Sequence, residues 1–219
     1  MKNLLILLLL TFKVNANAAY QPYAHDPKFP NTKSIEYQLI ENPAATSTGY
    51  LKIGATSGSV AATTISTFLH SVDVARNITI TSAGVATDLE TCTITASGKN
   101  ILGASISEDF AVTANTSVSA TGAKAFKSVS SVSIPAACQS GSAAATFSIG
   151  IGEKLGVSRC LNNAGDILFS EIDGAKEATA PTMVVDVDEV EKNTADFNGT
   201  MDGSSDFILY FMQNFRCIP

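Results

Sequence analysis

His70, Ser71 and Asp73 crowd into one short segment and are the residue types of a nucleophilic hydrolase. A serine nucleophile needs an imidazole to take its proton, a carboxylate to orient that imidazole, and an oxyanion hole. The strand-to-helix elbow that usually exposes such a serine has the form G-x-S-x-G, which occurs nowhere in the chain. The segment therefore reads as non-catalytic, and His25, flanked by Asp26 and Pro27, reads as a solvated loop residue. Assembly of several carboxylates around one cleft would be needed to revive a hydrolase reading.

Three further groupings could hold a ligand. Gly150-Ile-Gly152-Glu-Lys-Leu-Gly156 resembles a phosphate loop, but its third glycine comes one place late for G-x-G-x-x-G and no crossover helix follows. Glycines permitting a tight strand-to-strand connection explain it better. Asp186, Asp188, Glu189 and Glu191, followed by Asp196, Asn198, Asp202 and Asp206, offer oxygen ligands for Ca²⁺ without EF-hand spacing. Solvated strand faces and turns are the competing reading. Cys92, Cys138, Cys160 and Cys217 lie far apart, with no C-x-x-C and no nearby histidine, so cysteine-based zinc ligation is not expected. In an exported chain they allow two disulfides in three connectivities. The pair Cys160 with Cys217 is preferred because both lie outside the best-defined strands, while Cys92, on an apolar strand face, reads as a small buried hydrophobe. Asn77, Asn115 and Asn198 begin N-x-S/T sequons that matter only in a eukaryotic secretory route.

The elements around these residues are strands. From Asp73 to Gly156, apolar and small polar residues alternate in short runs closed by Gly, Asn or Pro, the period of half-buried strands. Ile78 and Ile80 oppose Thr79 and Thr81; Cys92, Ile94 and Ala96 oppose Thr91, Thr93 and Thr95. Gly98-Lys99-Asn100 turns the chain into the run of Leu102, Ala104 and Ile106, a hairpin signal. Glu108 interrupts the next apolar face before Phe110 and Val112 restore it, which predicts a bulge or a sheet edge rather than a catalytic acid. Ala125, Phe126 and Val129 are spaced like one helical turn. Val132 and Ile134 resume the strand pattern to Pro135, and Ala145, Phe147, Ile149 and Ile151 form another strand, closed by Gly152. Strands are also expected at Ile35 to Ile40, Tyr50 to Ile53 and Met183 to Val187. Phe207 to Met212, apolar on both faces, should be central or doubly covered. The expected fold is all-β: an antiparallel β-sandwich, Ig-like or jelly-roll-like, with an extended N-terminal arm. Residues 1–18 form an apolar, signal-like segment, 19–67 an arm with short strands, and 68–219 the sandwich with its C-terminal strands.

Residues 1–18 carry Lys2, an apolar core from Leu4 to Leu10 and Ala16-Asn17-Ala18 as a small-x-small cleavage site. That core is shorter than the ~20 residues a membrane span needs. The alternative is an apolar arm that packs on a neighbouring subunit. Of the 219 residues only 16% are charged and the net charge is −6, with no basic stripe, so a nucleic-acid-tracking surface is excluded. Outward faces rich in Thr, Ser, Ala and Gly suit an extracellular particle or a protein largely buried against neighbours.

Val74-Ala-Arg-Asn-Ile-Thr-Ile-Thr81, Ser107-Glu-Asp-Phe110, Gly122-Ala-Lys-Ala-Phe-Lys-Ser-Val129, Val132-Ser-Ile-Pro135, Gly152-Glu-Lys-Leu-Gly-Val157 and Asp202-Gly-Ser-Ser-Asp206 before Phe207-Ile-Leu-Tyr210 come in a characteristic order. Over about Ala45 to Met212 the chain resembles a group of tailed-bacteriophage virion structural proteins. That resemblance implies a non-enzymatic particle component, a head decoration or cement protein or else a tail component. It implies no catalytic residues or cofactor. Its partners would be the major capsid protein or other virion subunits, with a homo-oligomer at a capsid symmetry site. Lys124, Phe126 and Lys127 are candidate contact residues, with Phe126 as core the competing reading. The leader-like N-terminus and four cysteines depart from the pattern of a protein assembled in a reducing cytoplasm. An exported bacterial surface or periplasmic binding module, cleaved near Ala18, is the second expectation.

Overall fold

Arg76–Ala83 (β4) runs through the middle of the molecule because its even positions, Ile78 and Ile80, are apolar and fully buried. The computed structural model describes residues 35–55, 62–84, 89–115, 117–140 and 145–212, which belong to one compact unit. The signal-like segment and the arm up to Lys33 lie outside the described residues. The described chain is all-β and sandwich-like, with antiparallel pairing throughout its ladders.

Three sheets organise it. The first has four strands in the order Ile35–Ile40 (β1), Phe207–Met212 (β14), Ile167–Ile172 (β10) and Ala175–Lys176 (β11). The second has six: Thr182–Val184 (β12), Thr194–Asp196 (β13), Thr146–Gly156 (β9), β4 and Ser119–Phe126 (β7), with Ser47–Ala55 (β2) paired beside β9. The third orders Thr63–Ile65 (β3), Ser128–Ile134 (β8), Cys92–Lys99 (β5) and Ser105–Val112 (β6). The expected strand alternation holds along β4, β5, β6 and β9, and β14 is central, between β1 and β10, as its apolar character requires.

Two cores share strand β9. Phe147, Ile149 and Ile151 join Ile78, Ile80, Ile94, Phe110, Phe126, Val132 and Ile134 between the second and third sheets. Farther along, Leu155 joins Phe207, Leu209, Phe211, Ala195 and Phe197 under the first sheet. Each fully buried apolar side chain contributes about 1.5–3 kcal/mol over its exposed state, so the inward residues of β9 alone anchor both layers.

Several expectations are corrected. The body begins at β1, not near Phe68: β1, β2 and β3 pair with β14, β9 and β8 and are sheet members rather than parts of an arm. On β1, Gln38 donates to the Gly156 carbonyl (2.8 Å) and accepts from the Ser158 amide (2.8 Å), while Glu36 pairs with Arg159. Those polar side chains hold β1 to the turn after β9. Ala125, Phe126 and Val129 lie in strands β7 and β8, where tertiary pairing overrides their helix-like spacing. Gly152 does not close a strand; β9 continues to Gly156. Its glycines are required by close approach: a Cβ at Gly150 would meet Ser47 O at 2.1 Å.

Candidate functional site

The most concentrated polar chemistry lies inside the molecule, where β4 carries irregularities against both neighbours. Register shifts fall between Arg76 and Ile78 opposite β9, and between Asn77 and Thr79 opposite β7. Extra residues there free backbone groups from the ladder, and a buried backbone group must find another partner. Asn77, fully buried, serves both sides: its Nδ2 donates to Gly122 O (3.1 Å) and its Oδ1 accepts from the Lys154 amide (3.0 Å). Glu108 of β6 reaches across from the third sheet and accepts from the Ala123 amide (2.6 Å) and the Lys124 amide (3.2 Å). Burial pushes its carboxyl above the usual range, opposed by those two amides. The interruption in the apolar face of β6 is thus explained by the bulge in β7 that it satisfies.

Arg76, also fully buried, donates from Nε to Gly152 O (2.8 Å), from Nη1 to Ala44 O (2.8 Å) and to Asp73 Oδ2 (3.3 Å), and Nη2 reaches Gly152 O and Met201 Sδ. Burial lowers the guanidinium pKa and Asp73 pulls it back. Asp73 Oδ2 also accepts from the Ala44 amide at 2.7 Å. Glycines make this geometry accessible: a Cβ on Gly152 would fall 2.5 Å from both Asn77 amide atoms, and one on Gly122 would fall 2.5 Å from Glu108 Oε2. The segments Arg76-Asn77, Glu108, Gly122 to Lys124 and Gly152 to Lys154 are one interlocking network.

Beside it, Glu191, in the 3-10 turn Val190–Lys192, is 7% exposed and lies between two side chains. Its Oε2 accepts from Asn100 Nδ2 at 3.1 Å, and its Oε1 stands 3.6 Å from Lys124 Nζ, which is 3.9 Å from Glu189. Asn100 Oδ1 accepts from the Leu102 and Ala104 amides at 3.1 and 3.0 Å. Asn100 and Glu191 were legible only as a turn residue and as one member of an acidic run; no local spacing links them to Lys124.

His70, Ser71 and Asp73 do not assemble. Asp73 is committed to Arg76 and Ala44, while His70 is exposed and packs its ring 4.9 Å from Tyr50. His70 and Ser71 line a groove of about 280 Å³ together with Leu51, Phe68, Leu69 and Val129, and no carboxylate lines it. Among the described residues no three His, Cys, Asp or Glu side chains gather at one point, so the acidic run offers its oxygens singly. Asp186 caps the amides of Asp188 and Glu189 and faces Lys192; Asp202 accepts from the amides of Ser204 and Ser205, the first of which chiefly holds its carboxyl below the usual range.

Cys92 is bonded to Cys138 (S–S 2.02 Å), correcting its reading as a plain hydrophobe. The bridge fastens the start of β5 to the 3-10 turn Ala136–Cys138. Cys160 is disulfide-bonded as well; its expected partner, Cys217, lies outside the described residues. Of the candidate contact residues, Phe126 is fully buried, so it is core and presents nothing to a partner. Lys124 is on β7, with its ammonium turned toward Glu189 and Glu191, and Lys127 is exposed where β7 meets β8. Burial also removes Asn77 as a glycan acceptor.

The outer face of the first sheet is the notable exposed apolar surface. Ile35 (60% exposed), Tyr37 (67%) and Leu39 stand opposite Met212, Tyr210 and Ile208, and Phe169 stacks on Tyr210 at 4.2 Å. Tyr37 and Tyr210 have ring centroids 6.0 Å apart. Exposed apolar area of this kind marks a candidate interaction surface. Among the described residues no helix is long and apolar enough to cross a membrane. No protein-family model, no curated protein and no solved structure matches this chain.

Proposed function

We propose that this chain is a non-enzymatic structural protein of a tailed-phage virion, a decoration or cement protein that binds the capsid lattice and stabilises the head. The observation that carries the reading is the interlocking of the residues on which the resemblance rests. Arg76-Asn77, Glu108, Gly122 to Lys124 and Gly152 to Lys154 are remote in sequence, yet each satisfies a group or occupies a space that another supplies. Their mutual dependence supports reading these segments as one structural unit rather than as unrelated turns.

Binding, not turnover, is the activity. The partner is the major capsid protein or another virion subunit, and the contacting surface is the face of Ile35, Tyr37, Leu39 and Tyr210. Burying that face would add apolar contact across subunit joints and resist outward pressure on the shell. Intact-mass measurement on purified particles tests the reading: the chain should be present at a copy number that matches a capsid symmetry site. Its absence from particles that package normally and have a complete protein inventory would overturn the proposal.

One observation keeps open a second reading, an exported bacterial surface or periplasmic module. Cys92–Cys138 is a structural disulfide, and such bonds belong to oxidising compartments. A released virion exterior is also oxidising, so the bond fits both. A mature chain that begins at Ala19 in the cell envelope supports export; one that retains Met1 or Lys2 in particles supports the virion.

A further inference from the structure

We propose that Lys124 and Asn100 become joined by an intramolecular isopeptide bond, with Glu191 carrying the protons. The carboxylate bridges the two reacting groups: Oε1 faces the Lys124 amine at 3.6 Å and Oε2 holds the Asn100 amide nitrogen at 3.1 Å. The carboxamide oxygen of Asn100 is held by two backbone amides, Leu102 and Ala104, at 3.1 and 3.0 Å. Two converging N–H donors on a carbonyl oxygen are what stabilise the charge that develops there when a nucleophile attacks the carbon. Asn100 is 4% exposed and Glu191 7%, so water, the competing nucleophile, is largely kept from the carboxamide.

The chemistry closes with these groups alone. Glu191 takes one proton from the Lys124 ammonium, and the freed amine attacks Asn100 Cγ to form the new C–N bond. The oxygen charge rests on the Leu102 and Ala104 amides. Glu191 returns its proton to the Asn100 nitrogen, the old C–N bond breaks, and ammonia leaves with the remaining proton as ammonium. A carboxamide and an alkylammonium become a secondary amide and ammonium, with no oxidant, reductant or other reactant. Fixed placement of both partners on one carboxylate supplies the proximity that such an exchange lacks in solution. The product would tie β7 of the second sheet to the β5–β6 turn of the third, a covalent staple across the sandwich that is independent of redox conditions.

Intact-mass spectrometry of the folded full chain, with its disulfides counted, should give a mass lower than the sequence requires by one ammonia. Peptide mapping should recover a branched peptide containing positions 100 and 124. Glu191→Gln and Lys124→Arg should each restore the full sequence mass, with circular dichroism reporting retained β-structure; the arginine keeps the positive charge but cannot form the bond. Full sequence mass in folded wild-type protein would overturn the proposal, whichever variants fold. So would an ammonia deficit that survives Lys124→Arg, as cyclisation at another asparagine would give, or conversion of Asn100 to aspartate by water.

Discussion

Replacing Asn77 with alanine should be among the most damaging single changes in this protein, although the residue touches no candidate partner. The side chain accepts from the Lys154 amide and donates to the Gly122 carbonyl, both in the interior, and no ladder bond can replace either because the register shifts on each side. Leaving one buried polar group unsatisfied costs about 1–3 kcal/mol, so the two together cost about 2–6 kcal/mol. Against a typical total stability of about 5–15 kcal/mol, that is a large fraction. With a urea slope of about 1–3 kcal/mol/M, the midpoint should fall by roughly 2 M. A double-mutant cycle sharpens the test. Gly152→Ala places a methyl group 2.5 Å from both amide atoms of Asn77 and should be strongly destabilising alone, but in the Asn77→Ala background the obstruction is gone. The second substitution should then cost at least ~1 kcal/mol less than in wild type. Urea denaturation followed by circular dichroism measures all four corners of the cycle. An Asn77→Ala loss below about 0.5 kcal/mol, the range of ordinary surface changes, would refute the view that this side chain bridges two bulges. Additive effects of the two substitutions would refute the packing part.

Other consequences can be checked separately. Replacing Cys92 and Cys138 together with serine opens a bridge of sequence separation 46, for which chain entropy predicts a loss of about 4 kcal/mol, read from denaturation midpoints under non-reducing conditions. Glu108 has a pKa raised from 4.5, so the folded state binds its proton more tightly than the unfolded chain, and this group's contribution to stability declines as pH rises from 4.5 through the raised value. Glu108→Gln, which keeps a carbonyl acceptor for the Ala123 amide, should lack that decline; denaturation at a series of values over about pH 4 to 7 should show the variant gaining on wild type across the window. Parallel curves for the two proteins would assign the dependence elsewhere. Tyr37→Glu places a charge on the exposed aromatic face and should leave the unfolding midpoint nearly unchanged while weakening co-sedimentation with particles by about 2 kcal/mol, roughly thirtyfold.

The strands were legible where one face is buried and the other wet, because period-two alternation is a direct record of burial. Ile78 with Ile80, Ile94 with Ala96, and Phe147 with Ile149 all sit as their spacing predicts. Misreadings fell where long-range pairing decides the outcome. Ala125 and Phe126 have helical spacing but pair with Asn77 and Arg76 just past a bulge, and the segment from Ile35 to Ile65 looks like an arm because its partners, β14, β9 and β8, lie far along the chain. Gly152 read as a terminator because a glycine that ends a strand and one that admits a neighbour's side chain are the same letter. The polar network was visible in the sequence only as one oddity, a charge in an apolar face at Glu108. Its meaning required knowing that Glu108 reaches the bulge between Gly122 and Lys124. The Asn100, Lys124 and Glu191 cluster left no local trace, since three different segments contribute it.

Images of particles with and without this protein test the central claim most directly. The account predicts extra density at regular capsid positions when the chain is present, lost when it is absent and restored when purified protein is added back. Identical particles in both samples, with the chain recovered instead from the cell envelope as a species beginning at Ala19, would contradict it.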